Sequence, residues 1–279
     1  MEDLIMKSRI DVMNEIKNIP AEKQLEYLKN CATECHNMGY YTSWASYLEV
    51  ILYNFNGDFL QYLPLLASAY NSMKLYKKTV KLISPYMDNT RPEARQLYLL
   101  ITPFYHVGVA YHNLQEDELA ISFLNAAIEA GEDSIKANPN AGDIGTRKAV
   151  VALSYAEKGA ILYDQEKYID AFAAFSKSYK TAVSPCTIYY LSKMFYLGQA
   201  VDKDVAAAQN MLSIITELKI SEKSELFVYV CKAHYDLGLI YATEPGYINK
   251  EKAIEEFNKA KELGYEVTDK QINYLIANI

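Results

Sequence analysis

The stretch YAEKGAILYDQEKYIDAFAAFSKS, residues 155–178, decides the fold. Its apolar residues recur every three to four positions, which is typical of amphipathic helices rather than strands. Counting from the small residue Gly159, offsets of 3, 12, 16 and 19 fall on Leu162, Ala171, Phe175 and Ser178. Small side chains at such positions let two antiparallel helices approach closely, while a bulky side chain fills the gap between them. We therefore expect a hairpin of two helices.

The same offsets recur along the chain. They fall on Gly108, Tyr111, Ala120, Leu124 and Ala127 in residues 104–127, and on Ala67, Tyr70, Thr79, Ile83 and Tyr86 in a weaker copy. Two further copies keep the order with three more residues in the turn, giving Ser192, Phe195, Ala207, Met211 and Ile214, and then Gly238, Tyr241, Ala253, Phe257 and Ala260. Self-similarity of this kind predicts an array of stacked helix pairs.

These copies resemble the tetratricopeptide repeat. The turn of the fourth copy, within FYLGQAVDKDVAA at 195–207, is similar to that of Sel-one-like repeats, with Ala200 in place of that family's second glycine. The last copy ends in FNKAKELGY at 257–265, which also resembles that family, although its turn TEPGYINK departs from the pattern. The resemblance implies an all-α fold, an α-solenoid in which antiparallel helix pairs form a right-handed superhelix.

The resemblance covers about residues 60–265 and suggests four segments. We expect N-terminal helices, either a cap or degenerate repeats, at 1–56, and tetratricopeptide-like repeats at 57–137. A polar connection, NPNAGDIGT, follows at 138–146, and tetratricopeptide-like and Sel-one-like repeats with a C-terminal helix are expected at 147–279. Pairs such as Met38-Gly39 and Ser184-Pro185 predict helix ends within these segments.

The net charge and the hydropathy of the sequence limit the classes of partner and the cellular location that we expect. With 28 basic and 35 acidic residues, the net charge of −7 leaves no excess of cations for a phosphate backbone, so we expect no nucleic-acid partner. The chain starts without the charged and then apolar pattern of a signal peptide. No apolar run approaches the roughly 18 residues that span a bilayer. We therefore expect a cytoplasmic protein without membrane insertion.

Motifs for catalysis or cofactor binding are missing from the sequence. It has no glycine-rich phosphate loop, no nucleophile elbow and no zinc-protease helix, so we expect neither an enzyme nor a cofactor. Cys31, Cys35 and His36 form the one cluster of metal-ligand types, which leaves a metal-dependent enzyme as a distant alternative. A closed zinc site needs four ligands, and Cys35 falls on an apolar stripe with Leu28 and Ala32. A buried cysteine without a metal is the better interpretation.

Tyrosine is the most unusual feature of the composition, with 25 Tyr against 9 Phe and 1 Trp. In the families named above, residues flanking the small anchor of each first helix line the concave surface. The corresponding positions here are Tyr105, His112, Asn113, Tyr163, Asp164, Tyr189, Lys193, Tyr196, Lys232 and Tyr235. Tyrosine buries area and keeps a polar tip, which suits a peptide-binding groove. Each ring could instead pack on a neighbouring repeat, and both interpretations stay open.

These patterns favour a non-enzymatic scaffold or adaptor that binds a protein or peptide of unknown identity, with self-association also open. A peptide-sensing regulatory repeat protein is the alternative, although residues 1–56 carry no basic recognition helix of a DNA-binding effector. The carboxylate clamp that some tetratricopeptide proteins use for chaperone tails is not visible. Its positions in the first three repeats are occupied by Pro64, Ser68, Tyr105, Val109, Ala156 and Ala160.

Overall fold

Fourteen α-helices and no strand account for the regular structure that the computed structural model describes, which comprises residues 6–55, 61–86, 97–222, 224 and 226–277. The helices are α1 (Arg9–Ile16), α2 (Ala21–Met38), α3 (Tyr41–Asn54), α4 (Leu63–Ser72), α5 (Tyr76–Ile83), α6 (Leu97–Asn113), α7 (Asp117–Ala137), α8 (Ile144–Asp164), α9 (Tyr168–Thr181), α10 (Pro185–Leu197), α11 (Val205–Glu217), α12 (Phe227–Thr243), α13 (Lys250–Glu262) and α14 (Asp269–Ile276). A 3₁₀ turn, Ser84–Tyr86, follows α5. The all-helical prediction is confirmed.

Neighbouring helices pack in pairs, as the sequence predicts. Helix α2 packs on α3, α4 on α5, α6 on α7, α10 on α11, and α12 on α13. Helices α8 and α9 meet where Gly159 faces Phe175. The first helices of successive pairs also contact each other, α4 with α6 and α10 with α12.

Glycines mark the points where paired helices cross. A Cβ added to Gly108 would lie 2.7 Å from Leu124, one at Gly159 2.8 Å from Phe175, and one at Gly238 2.6 Å from Phe257. Such distances are too short for carbon atoms in contact, so no larger residue fits without a shift. The alanines twelve residues after the first two glycines, Ala120 and Ala171, are completely buried. The predicted role of these small residues is confirmed.

The register of the fourth copy differs from the prediction by one residue. Ala208, Leu212 and Ile215 face the core with exposures of 0%, 2% and 0%, whereas Ile214 is 44% exposed. The predicted interhelical set, Ala207, Met211 and Ile214, is therefore wrong on α11. Both sets follow a helical spacing of four and three residues on one helix, so periodicity alone could not separate the two apolar stripes.

A recurring turn joins the helices of the pairs. Lys74, Gln115 and Glu166 adopt left-handed φ values of 59°, 64° and 61° after α4, α6 and α8. In each case the next N–H bonds to the carbonyl five residues back, as from Glu116 to Tyr111 at 2.9 Å. This is the Schellman geometry that usually employs glycine. Gly198 adopts it after α10 with φ 68°, and Gly39, in the predicted Met38-Gly39 stop, ends α2 with φ 74°.

The chain forms two compact units. Unit 1 comprises residues 1–154 and unit 2 comprises residues 155–279, so the boundary falls within α8. The predicted break at 56/57 lies outside the described residues, and the predicted polar connection at 138–146 corresponds to a six-residue link from 138 to 143 followed by the start of α8. The segment predicted to hold N-terminal helices contains α1, α2 and α3.

The cysteine cluster of unit 1 belongs to the core. Cys35 is completely buried and Cys31 is 9% exposed, which confirms the position predicted for Cys35 on a buried stripe. The His36 ring lies 4.4 Å, centroid to centroid, from the ring of Trp44. Burial raises the pKa of the Cys35 thiol to about 11, so the thiolate is scarce at neutral pH. Across the described ranges, no helix combines the length and the apolar character that crossing a bilayer requires.

Candidate functional site

Two adjacent first helices of unit 2, α10 and α12, carry the candidate site. Helix α10 begins with Pro185 at its first position, where a missing N–H costs nothing, and ends at the left-handed Gly198. Its residues 189, 193 and 196 follow a helical spacing and share one face. On α12, Lys232 and Asp236 stand four residues apart and also share a face. The contact between α10 and α12 brings these side chains together.

A cleft of about 270 Å³ opens where these faces meet. Its aliphatic lining residues are Leu197, Leu212, Leu239 and Ile240. The polar lining comes from the side chains of Tyr189, Ser192, Lys193, Tyr196 and Asp236. An apolar cleft with a few convergent polar groups is the usual form of a binding site.

Asp236 is the carboxylic acid among the residues that line this cleft. Burial raises the pKa of its carboxyl to about 6, against the opposing effects of a hydrogen bond from the Tyr189 hydroxyl and of the positive charges of Lys193 and Lys232. The carboxyl is therefore mostly ionised at pH 7 and mostly protonated at pH 5. An acid with such a pKa in a cleft is a candidate functional group because most exposed acids titrate near pH 4.

Both lysines lie against tyrosine rings. The Lys232 ammonium is 5.5 Å from the ring centroid of Tyr189 and 5.4 Å from that of Tyr229, and the Lys193 ammonium is 4.9 Å from the centroid of Tyr163. These distances are within the range of cation–π attraction. Among the described residues, no carboxylate oxygen lies within 4.0 Å of either ammonium. The two charges are thus positioned but not neutralised by a direct ion pair.

Four tyrosines form a continuous layer that reaches the cleft at Tyr189, and we call it the tyrosine layer: Tyr163, Tyr189, Tyr190 and Tyr229. Ring centroids are 5.4 Å apart for Tyr163 and Tyr190, 5.9 Å for Tyr189 and Tyr190, and 5.6 Å for Tyr189 and Tyr229. The ring of Tyr190 also stacks on Phe175 at 4.8 Å. Tyr163 and Tyr189 are only 8% and 9% exposed. The layer therefore fixes α8, α10 and α12 to one another within unit 2.

The structure brings together five of the residues that the sequence places in the groove. Tyr189, Lys193 and Tyr196 line the cleft. The charge of Lys232 acts on the Asp236 carboxyl, and the Tyr163 ring lies against the Lys193 ammonium. Tyr235 lies on α12 next to the cleft and stacks on Tyr265 at 4.6 Å. Asp164 is exposed at the end of α8.

The predicted groove residues of unit 1 make local contacts instead. His112 Nδ1 lies 3.0 Å from Asp117 Oδ1 across the turn between α6 and α7. The Asn113 side chain donates to the carbonyl of Val109 at 2.9 Å. Tyr105 is half-buried, with its ring 5.2 Å from that of His106. The polar groups of His112 and Asn113 are therefore engaged within their own hairpin.

Asp236 is the important residue that the sequence reasoning missed. It stands two residues before Gly238, and nothing about its type distinguishes it from a solvated helix position. One signal was available, since Lys232 and Asp236 form a charge pair at a spacing of four residues on an otherwise apolar helix. Tyr190 and Tyr229 were also missed because they lie beside, and not at, the positions that the repeat pattern selects.

A second cleft, of about 520 Å³, lies in unit 1 among α3, α4 and α5. Its lining is apolar and aromatic with two cations: Leu52, Tyr53, Leu63, Tyr70, Lys78, Lys81, Leu82, Pro85 and Tyr86. Its lining includes Tyr86, the last described residue before the gap at 87–96. Because its described lining contains no carboxylic acid, the smaller cleft of unit 2 is the stronger candidate.

Comparison with known proteins supports the fold and does not identify the function. No protein-family profile matches the sequence, and no curated protein shows significant similarity to it. Among solved structures, the chain is similar to the crystal structure of BtubC (BKLC) from P. vanneervenii, with a TM-score of 0.52 and 14% sequence identity. The match covers 88% of this chain and 94% of that chain. At this identity the likeness concerns the fold alone.

Proposed function

We propose that this chain is a non-enzymatic scaffold of the tetratricopeptide and Sel-one-like kind, an α-solenoid that binds a protein or peptide on the surface formed by its first helices. The observation that carries the proposal is the cleft between α10 and α12, where an apolar floor meets Lys193, Asp236 and the hydroxyls of two tyrosines. Apolar side chains of a peptide fit such a floor, and polar groups at its rim fix the orientation of the peptide.

The close packing of the tyrosine layer also supports this proposal. A surface that is ordered before binding loses less conformational entropy when a partner is bound. Tyr163 donates from its hydroxyl to Gln199 Oε1 at 2.8 Å, and the rings of the layer contact one another from α8 to α12. Burial raises the pKa of the Cys186 thiol, which lies against Tyr229 of this layer, to about 11, so that the thiolate is scarce at neutral pH.

A peptide-display selection on the immobilised full chain tests the proposal. Selected peptides should lose affinity by about fivefold or more for Leu197→Gln, whose side chain lines the cleft and is 49% exposed, so that the fold is preserved. Ile214→Gln is the matched control, since that side chain on α11 is 44% exposed and is not part of the cleft lining. Failure to enrich any peptide, or equal loss in both variants, would contradict the proposal.

A further inference from the structure

The two lysines and the aspartate at the cleft do not form a direct ion pair. Lys193 from α10 and Lys232 from α12 both act on the Asp236 carboxyl, yet neither ammonium forms a salt bridge with any carboxylate among the described residues. The charged groups that act on the Asp236 carboxyl are thus two cations, and neither is neutralised by a direct ion pair among the described residues. A ligand group that carries negative charge would complete this arrangement.

The two cations are also held in place before a ligand arrives. The Lys232 ammonium lies over Tyr189 and Tyr229, and that of Lys193 over Tyr163, so their chains have less freedom than solvated lysines have. All three rings belong to the tyrosine layer: Tyr163 and Tyr189 are buried, and Tyr229 is half-buried and packs against Tyr189 at 5.6 Å. An anionic group would therefore meet charges that need little rearrangement.

We propose that the cleft binds a carboxylate-bearing segment of a protein partner through Lys193 and Lys232, and that Asp236 competes with that carboxylate for the same two cations. This inference rests on the function proposed above. The partner would be an extended acidic segment whose apolar side chains occupy the floor formed by Leu197, Leu212 and Ile240. Asp236 then acts as an internal competitor that weakens binding while it is ionised.

The groups that face Asp236 are consistent with this role. From α10 come the Tyr189 hydroxyl, which donates a hydrogen bond to the carboxyl, and the Lys193 ammonium. From α12 itself come Lys232 and Tyr235, and Tyr265 approaches from the segment after α13. The tyrosines carry no charge near neutral pH, since burial raises the pKa of each of them. Asp236 is therefore the group of this set that changes its charge between pH 7.5 and 5.5.

Three peptide-display libraries test the inference. Each has ten positions, with random apolar and small residues alternating with Asp or Glu, with Asn or Gln, or with Lys or Arg. On the full chain at pH 7.5, the acidic library should yield the tightest binders. The double variant Lys193→Gln/Lys232→Gln should bind them at least tenfold more weakly, and Lys219→Gln, an exposed lysine outside the cleft, should bind them as the parent does.

The pH dependence tests the competing role of Asp236. The best acidic binder should bind the parent about threefold to tenfold more tightly at pH 5.5 than at pH 7.5. Asp236→Asn should bind tightly at both values, with a melting curve at least as stable as that of the parent at pH 7.5. If the affinity of the parent does not change with pH, or if Asp236→Asn binds more weakly than the parent, then Asp236 does not compete with the carboxylate of the ligand.

The outcomes separate this inference from the function on which it rests. Binders that come from the neutral or basic library, with affinity unchanged by the lysine variants but lowered by Leu197→Gln, would overturn the acidic partner and leave peptide binding in place. An absence of binders from all three libraries would overturn both. Acidic binders that depend on both lysines and tighten at low pH support the inference in full.

Discussion

The first helix α6 of unit 1 and the first helices α10 and α12 of unit 2 belong to hairpins with closely similar seams, yet they present different surfaces. On α6, His112 contacts Asp117 and Asn113 bonds to Val109, so polar groups at the predicted groove positions are engaged locally. On α10 and α12, two lysines lie over tyrosine rings without a carboxylate at salt-bridge distance among the described residues. The helix pairs therefore determine the position of a side chain, whereas the residues around it determine its role.

Overpacking of the seam has the largest expected effect, and the effect should be equal in the two units. Ala120 and Ala171 are both 0% exposed, so arginine at either position must separate the helices or bury its charge. We expect Ala120→Arg and Ala171→Arg each to lower the free energy of unfolding by about 3 kcal/mol or more. Thermal unfolding followed by circular dichroism measures this. Ala173→Arg, exposed on α9, is the control, and a tolerated Ala120→Arg would show that the seams differ.

Tyr189 on α10 and Tyr105 on α6 each stand three residues before the small anchor of their helix, Ser192 and Gly108. Replacing each tyrosine by alanine should destabilise the two units by different amounts. Tyr189 is 9% exposed and packs on Tyr190 and Tyr229, so Tyr189→Ala should cost about 3 kcal/mol. Tyr105 holds the matching position on α6 and is half-buried, so we expect Tyr105→Ala to cost about 1 kcal/mol. Chemical denaturation of the two variants compares these values. Equal losses would mean that both tyrosines serve the same purpose.

The burial of Tyr163 and Tyr189 could not be predicted from the sequence. The offsets between small residues predicted the crossings of α6 with α7 and of α8 with α9, because only small side chains allow backbones to approach so closely. Whether a tyrosine beside the anchor faces a groove or a neighbouring helix depends on that neighbour's side chains. Tyr190 and Tyr229 decide this for Tyr189, and neither lies at a position that the repeat pattern specifies.

Acidification should affect the two units in opposite directions. Burial raises the pKa of Asp236 to about 6, so its protonated form favours the folded state, and this contribution is present below about pH 4 and lost as pH rises through 6. Burial lowers the pKa of His106 in α6 to about 4, so its neutral form favours the folded state, and that contribution is present above about pH 6.5 and lost as pH falls through 4.

Variants isolate the two contributions, each of which is on the order of 1 to 2 kcal/mol. Asp236→Asn should melt at a higher temperature than the parent at pH 7.5, and this advantage should shrink by pH 4.5. His106→Leu should gain on the parent as pH falls over the same interval. Melting temperatures at both pH values provide the comparison. An advantage of Asp236→Asn that grows on acidification would contradict the assignment of the buried acid.

Substitutions in the turns within the hairpins have the smallest expected effect on stability. The same turn occurs in both units. Glycine stops were recognisable in the sequence, as at Gly39, but Gln115 and Glu166 adopt the same left-handed backbone without glycine and so gave no signal. A left-handed φ costs an L-residue about 1 to 2 kcal/mol, whereas glycine adopts it freely and has about 0.5 to 1 kcal/mol more chain entropy to lose on folding.

Glycine at these two turns should therefore stabilise each unit by a net of about 0.5 to 1 kcal/mol. Both side chains are exposed, so Gln115→Gly in unit 1 and Glu166→Gly in unit 2 remove no core contact. Differential scanning calorimetry should show a rise in melting temperature of a few degrees for each variant. Glu166→Ala keeps the backbone strain while it removes the side chain, so it should show no gain. If Glu166→Ala stabilises unit 2 as much as Glu166→Gly does, the glutamate side chain, and not its φ of 61°, is the source of the cost.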